Sequence, residues 1–203
     1  MTRAVPAGRV GILGGTFDPI HLGHLAAAQE AMCRLDLALV IFMPAGQPPH
    51  KAPADVSPAE DRWRMITLAI EDNPAFAASR LEIERPGPSY TVETLRQLRQ
   101  EYPGREWYFI TGADALFELE SWREPAAVAG LCRLVAVTRP GYDSERLRRF
   151  LSVKYGTEPL LVATPGVAVS STELRQRVRE GLPLRYLTPD SVLSYINNRQ
   201  LYK

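Results

Sequence analysis

Two histidines, His21 and His24, stand three residues apart in the stretch Gly14-Gly15-Thr16-Phe17-Asp18-Pro19-Ile20-His21-Leu22-Gly23-His24. A short apolar run, Val10 to Leu13, precedes the stretch, and an amphipathic segment, Ala26 to Leu35, follows it. That order reads as strand, glycine turn and helix start. Glycines let a backbone approach a phosphate closely, and a helix start offers free N–H donors with partial positive charge. Imidazoles at this spacing point to one side of the first turn, with Gly23 between them leaving their approach uncrowded. A phosphate-bearing nucleotide suits such a turn.

A second group lies far along the chain, Ser170-Ser171-Thr172-Glu173-Leu174-Arg175. Its hydroxyls make a dense helix-cap signature, with a guanidinium four residues after Ser171, and by itself the group reads as structural capping. Neither GxGxxG nor GxxxxGK[ST] occurs, so the two commonest nucleotide-binding loops are absent. On residue types alone, His21, His24, His50 and Asp18 also match the donor set of a metal hydrolase.

The elements that must position these groups alternate. Leu37 to Met43 is a continuous apolar run suited to a strand buried on both faces, ended by Pro44. A proline-rich loop, residues 44–57, contains Gln47-Pro48-Pro49-His50-Lys51 and is long enough to serve as a substrate flap. Ser57 with Pro58 and Glu60 predicts a capped helix to about Asp72, and Ala78 to Glu84 alternates as a strand. A helix from Ser89 to near Tyr102 follows, then a strand from Trp107 to Thr111 and a turn at Gly112-Ala113-Asp114. Leu131 to Val137 predicts a strand, Asp143 to Leu151 a basic helix, and Leu160 to Ala163 a last short strand. Helices from Ser170 to about Glu180 and from Pro189 to about Asn198 complete the chain. The expectation is a single α/β domain with a doubly wound, mostly parallel sheet and a small C-terminal helical subregion from about residue 170. In such sheets ligands bind at the carboxyl ends of the strands, where the unusual segments fall.

The 203 residues carry 45% hydrophobic and 23% charged side chains with a net charge of +1, so neither nucleic acid nor membrane is favoured as a partner. Cys33 and Cys132 are far apart in apolar elements and read as buried free thiols of a reducing cytosol. The N-terminus lacks a long apolar core and no membrane-length apolar run occurs, which predicts a cytoplasmic, unanchored protein.

His21-Leu22-Gly23-His24 resembles the HxGH signature of a nucleotidyltransferase superfamily, and Val169-Ser170-Ser171-Thr172 with Arg175 resembles its second signature, ISSTxxR, with valine for isoleucine. Further motifs narrow the likeness: Gly14 to His21, Pro48-Pro49-His50-Lys51, Pro88-Ser89-Tyr90-Thr91, Gly112 with Asp114, Trp122, Arg139-Pro140-Gly141 and Tyr195-Ile196. Together they resemble the bacterial nicotinate-nucleotide adenylyltransferases over essentially the whole chain. The resemblance implies a Rossmann-like fold and adenylyl transfer from ATP to nicotinate mononucleotide. It also implies that His21, His24 and Arg175 act in catalysis, and that Gly14, Gly15, Thr16, Phe17, Arg139, Ser170, Ser171 and Thr172 join them in holding ATP. Thr16, Lys51, Tyr90, Thr91, Asp114, Trp122 and Arg123 would hold the pyridine nucleotide. The pyridine ring would stack near Trp122, its carboxylate meeting backbone amides around Thr91 and Arg123. Mg²⁺ is expected on the triphosphate, held mainly by phosphate oxygens. Rival substrates within the superfamily are nicotinamide mononucleotide and phosphopantetheine; oligomeric state stays open.

Overall fold

The structure, a computed structural model, describes residues 1–49, 51–138, 143–167 and 169–203, with Pro53 by its backbone alone. Six strands form one parallel sheet: β1 (Arg9–Gly15), β2 (Leu39–Pro44), β3 (Phe76–Ala78), β4 (Glu106–Gly112), β5 (Arg133–Thr138) and β6 (Leu160–Ala163). Their order is β3-β2-β1-β4-β5-β6, so the winding reverses between β1 and β4. Register places Ile12 beside Ile41 on one side and beside Phe109 on the other.

Side chains alternate along each strand and fill two layers. On one face Leu13, Val40, Phe42 and Ile110 meet α1 (Leu22–Leu35), α2 (Ala59–Ala69), α8 (Ser171–Arg179) and α9 (Asp190–Arg199) through Ala28, Met65, Leu174 and Ile196. On the other face Ile12, Ile41, Met43 and Leu134 meet α4 (Thr91–Glu101), α5 (Ala113–Phe117), α6 (Pro125–Leu131) and α7 (Ser144–Tyr155) through Leu95, Leu116, Val128 and Leu147. Fully burying each large aliphatic or aromatic side chain stabilises the fold by about 1.5–3 kcal/mol. Packing of this kind, rather than helix propensity, holds pieces as short as α5 and α6.

Local structure departs from the sequence pattern in several places. The alternation at 78–84 does not continue the sheet: β3 ends at Ala78, and the chain turns into the short helix α3 (Leu81–Glu84). After the Ser79 N–H bonds to the Phe42 carbonyl, the Ser79 hydroxyl accepts from the Leu81 N–H and turns the backbone away from the sheet edge. Ser57 does not cap α2: Pro58 takes the cap position, the Ser57 N–H donates to the Asp18 carboxylate, and the helix stops at Ala69. α6 has no counterpart in the sequence reading, and α7 runs on to Tyr155, where Gly156 closes it at φ 63°.

Cys33 is exposed rather than buried, because the stripe of α1 that meets the sheet is Ala27, Ala28 and Ala31. Cys132 is half-buried, and burial pushes its thiol up to about 12. Among the described residues no helix is long and apolar enough to cross a membrane.

Candidate active site

A cavity of about 420 Å³ opens where the winding reverses, at the carboxyl ends of β1 and β4. Leu13 and Gly14 of β1, the 111–114 segment that leaves β4, Val137 of β5, and Ser170 and Ser171 at the head of α8 form its wall. His21, Gly23 and His24 project into it from the start of α1. Parallel strands put every one of these segments at the same edge, which is why residues far apart in sequence converge.

His21 is the cap residue of α1 in extended backbone conformation, and His24 lies three residues later in the first turn. Their rings stack with centroids 3.7 Å apart at 25°. The His21 N–H donates to His24 Nδ1 at 3.3 Å, an arrangement in which imidazole takes the position often held by glutamate in a capping box. With Nδ1 accepting, the proton of a neutral His24 sits on Nε2. Burial, and then the charge of His21, holds the His24 imidazole well below its ordinary value of 6.5. His24 therefore presents a neutral Nε2–H donor.

The glycines also sit where a side chain would be crowded by the protein's own rings. A Cβ on Gly14 would lie 3.0 Å from the Phe109 ring, one on Gly15 3.1 Å from the Phe17 ring, and one on Gly23 3.0 Å from His21 Nδ1. They make room for aromatic rings of the protein, and at Gly23 the space is taken by His21 itself. Phe17 is buried, and its ring meets the edge of His24 with centroids 4.9 Å apart.

A smaller cavity of about 160 Å³ lies between Pro49, the start of α4 and the 121–123 segment, with Ser89, Tyr90, Thr91, Trp122 and Arg123 on its wall. Trp122 packs nearly perpendicular to Phe109, with centroids 5.7 Å apart. Arg123 sits 4.8 Å over the Tyr90 ring and is paired with Glu93 at 2.9 Å. α4 begins without a side-chain cap, and while the Glu93 N–H bonds to the Tyr90 carbonyl, the Thr91 and Val92 N–H groups face the helix start where an anion could dock. The Ser89 hydroxyl instead accepts from the Gly46 and Gln47 N–H groups and ties the loop after β2 to this helix start.

The backbone before His21 is clamped from the far end of the chain. Arg175 donates to the Asp18 carbonyl at 2.8 Å, Ser171 to the Pro19 carbonyl at 2.8 Å, and Thr188 to the Ile20 carbonyl at 2.8 Å. Ser170 accepts from the Glu173 N–H, so its hydroxyl serves as the cap of α8. Beneath the turn Arg62, 1% exposed, donates to the carbonyls of Thr16, Ala45, Gly46 and Ser57. Burial lowers its pKa and the Asp18 charge opposes that shift. The Lys51 ammonium is also lowered, first by removal from water and then by Arg175, while Asp18 acts the other way. Lys51 and Arg62 thus feel one buried carboxylate without pairing with it, and Arg175 bonds the main-chain carbonyl beside it, leaving an excess of positive charge for an anionic ligand.

The residues marked out in the sequence fall into three groups. Gly14, His21, His24, Ser170, Ser171 and Asp114 line the large cavity, and Tyr90, Thr91, Trp122 and Arg123 line the small one. Thr16, Gly15, Phe17, Lys51, Thr172 and Arg175 belong to neither wall; Thr16 and Arg175 act through the clamped turn, where Arg175 also reaches the Thr172 hydroxyl at 3.4 Å. Arg139 and His50 lie outside the described residues. Among the described residues no three histidine, cysteine, aspartate or glutamate side chains converge as a metal site.

Arg62, Ser89, Thr188 and Tyr202 were not singled out by the sequence reading for any role at the site. Arg62 had a legible signal, since it falls on the helical stripe of Met65, Ile66 and Ala69, where a cation must have partners. Thr188 and Tyr202 have none, because the carbonyl and carboxylate they reach at the turn are more than 160 positions away.

A parallel sheet in this order, with an imidazole pair and a helix start facing its switch point, defines a Rossmann-like nucleotide-binding domain. The family model described as cytidylyltransferase-like matches residues 12–177. Among curated proteins, one from Symbiobacterium thermophilum, named "Probable nicotinate-nucleotide adenylyltransferase", is 50% identical over 96% of this chain and 95% of its own. One of the same name from Corynebacterium glutamicum is 47% identical over 96% of this chain and 88% of its own. The chain belongs to the cytidylyltransferase-like family and, within it, to the nicotinate-nucleotide adenylyltransferases. Among solved structures, Plasmodium falciparum nicotinic acid mononucleotide adenylyltransferase complexed with NaAD has a TM-score of 0.80 at 19% identity, covering 96% of this chain and 97% of that one, a likeness of fold.

Proposed function

We propose that this protein transfers the adenylyl group of ATP to nicotinate mononucleotide, giving deamido-NAD and pyrophosphate. The observation that carries the reading is the pair of cavities at the strand ends, one walled by imidazoles and a helix start, the other by Trp122, Tyr90 and the uncapped start of α4. The first suits a triphosphate. The second suits a flat ring bearing a carboxylate, with Trp122 beside the ring and the Thr91 and Arg123 backbone beside the carboxylate. The names of the relatives agree with this assignment.

In the proposed reaction a phosphate oxygen of nicotinate mononucleotide attacks the α-phosphorus of ATP, and the bond to the departing pyrophosphate breaks. The nucleophile is already ionised, so positioning and charge stabilisation suffice without a strong general base. His24 Nε2–H and His21 donate to the oxygens on which charge grows, while Lys51 and Arg175 neutralise it from the side. Gly14, Ser170, Ser171 and Thr172 present backbone donors to ATP, Arg139 is assigned to the same ligand, and Gly15, Thr16 and Phe17 shape the turn. Asp114, on the wall of the large cavity, is assigned to nicotinate mononucleotide.

The donor set of the large cavity consists of imidazoles, hydroxyls and helix N–H groups, with Asp114 as the carboxylate among its described lining residues. That set suits an anion, so Mg²⁺ would be held through ATP oxygens and water and would supply charge neutralisation there.

Incubating the protein with Mg-ATP and, in parallel, nicotinate mononucleotide, nicotinamide mononucleotide or phosphopantetheine tests the reading. Pyrophosphate release should be fastest with nicotinate mononucleotide. Faster release with phosphopantetheine would overturn it, and equal rates with acid and amide would remove the role given to the α4 start.

A further inference from the structure

We propose that Tyr202 is a positioning residue for the imidazole turn: its phenol holds the buried Asp18 carboxylate and, through it, the backbone from which His21 and His24 project. Asp18 is 1% exposed. Its Oδ1 accepts from the Tyr202 hydroxyl at 2.7 Å and its Oδ2 from the Ser57 N–H at 3.1 Å. Among the described residues no cation stands within ion-pair distance of the carboxylate. Lys51 and Arg62 act on the carboxylate only through space, so its two hydrogen bonds both come from neutral donors, and the buried group is sensitive to the loss of either bond.

The chain after α9 is shaped to deliver this hydroxyl. The Gln200 and Leu201 N–H groups close on the carbonyls of Asn197 and Ile196, and Gln200 and Tyr202 adopt φ of 52° and 70°. That turn folds the segment back beneath the site. Burial, and then the Asp18 charge, raises the phenol far above its ordinary pKa, so it stays a donor throughout the physiological range. α9 has a separate attachment, since Tyr195 and Arg199 both donate to Asp61 of α2, at 2.7 and 3.2 Å. Docking of the helix and the contact with Asp18 can therefore be broken independently.

The hydroxyl matters to the reaction because the Asp18 main chain is itself a joint. Its carbonyl receives Arg175, and three residues further on the chain reaches His21. If Asp18 turns to find another donor, Arg175 and both imidazoles move with it. The small cavity beside Trp122 lies on other segments and is left alone.

Tyr202→Phe keeps the ring and removes the hydroxyl, and Tyr195→Phe loosens α9 without touching Asp18. Both are compared with the parent as full-length chains carrying isotope-labelled histidine. The His21 and His24 imidazole resonances should move in Tyr202→Phe and stay in Tyr195→Phe. The kinetic arm rests on the adenylyl-transfer reading: Tyr202→Phe should lower kcat about tenfold, with KM for nicotinate mononucleotide changed less than about twofold. Unmoved resonances in Tyr202→Phe, or the same shifts and the same kcat loss in Tyr195→Phe, would overturn the proposal. A parent enzyme that releases no pyrophosphate from ATP and nicotinate mononucleotide sinks the reading of function instead, and the resonance comparison still decides the role of Tyr202.

Discussion

His24 is neutral for two reasons that act together: its Nδ1 is taken by the His21 amide, and burial beside a second imidazole penalises its charged form. An NMR titration should show no midpoint for His24 near 6.5, the ordinary value, with protonation only at much lower pH. The same displacement sets a stability slope. Because its folded pKa is lowered, the unfolded chain takes up a proton below about 6.5 that the folded chain refuses, so stability falls as pH falls through that value. Between pH 7 and 5 the parent should lose stability relative to His24→Gln in urea titrations, and a constant difference would contradict the assignment. As donors to a developing charge, His21 and His24 should each matter more to kcat than to KM; steady-state kinetics of either alanine variant should show kcat down by about 10²-fold. The identity and spacing of the pair were legible in the sequence. The stacked geometry and the choice of tautomer came from the folded turn.

Among elements, the loop after β2 shows how a site segment is held. Arg62 gathers carbonyls from the turn after β1, the start of this loop and Ser57 at its far end. Arg62→Lys should fail to restore the site, since a compact ammonium cannot reproduce the guanidinium fork, and both Arg62→Lys and Arg62→Met should lower stability by about 3 kcal/mol in urea unfolding. Gly46 is confined by α3, where a Cβ would overlap the Glu82 carbonyl. Gly46→Ala should shift the loop and raise KM for the pyridine nucleotide, read by steady-state kinetics, with little change for ATP. Beneath it burial raises the Glu82 carboxyl, which Thr94, Arg85 and Ser89 pull back. Proline content and length marked this loop in the sequence as a flap, whereas its anchors are Arg62, on a helix read as an ordinary capped element, and Ser89, just before α4.

Across the whole molecule, the two cavities lie at one edge of the sheet but are walled by different segments, and substitutions should separate accordingly. Trp122→Ala should weaken nicotinate mononucleotide more than ATP in equilibrium titrations, and equal losses would count against a stacking role. The sequence by itself determined the alternation of strands and helices, the buried parallel sheet and the two signature segments. Those depend on periodicity and on side chains within a few positions of one another, which is the range over which a helix or strand is decided. Only the tertiary structure decided that Ser171, Arg175, Thr188 and Tyr202 would close on residues 18–20, because those bonds join segments more than 150 positions apart. It also turned Leu81–Glu84 into a helix, where a sheet edge and the Ser79 hydroxyl outweighed the alternating pattern. The turn bearing His21 and His24 is one part of the candidate site, and the bonds that hold residues 18–20 come from α8, Thr188 and Tyr202 near the end of the sequence.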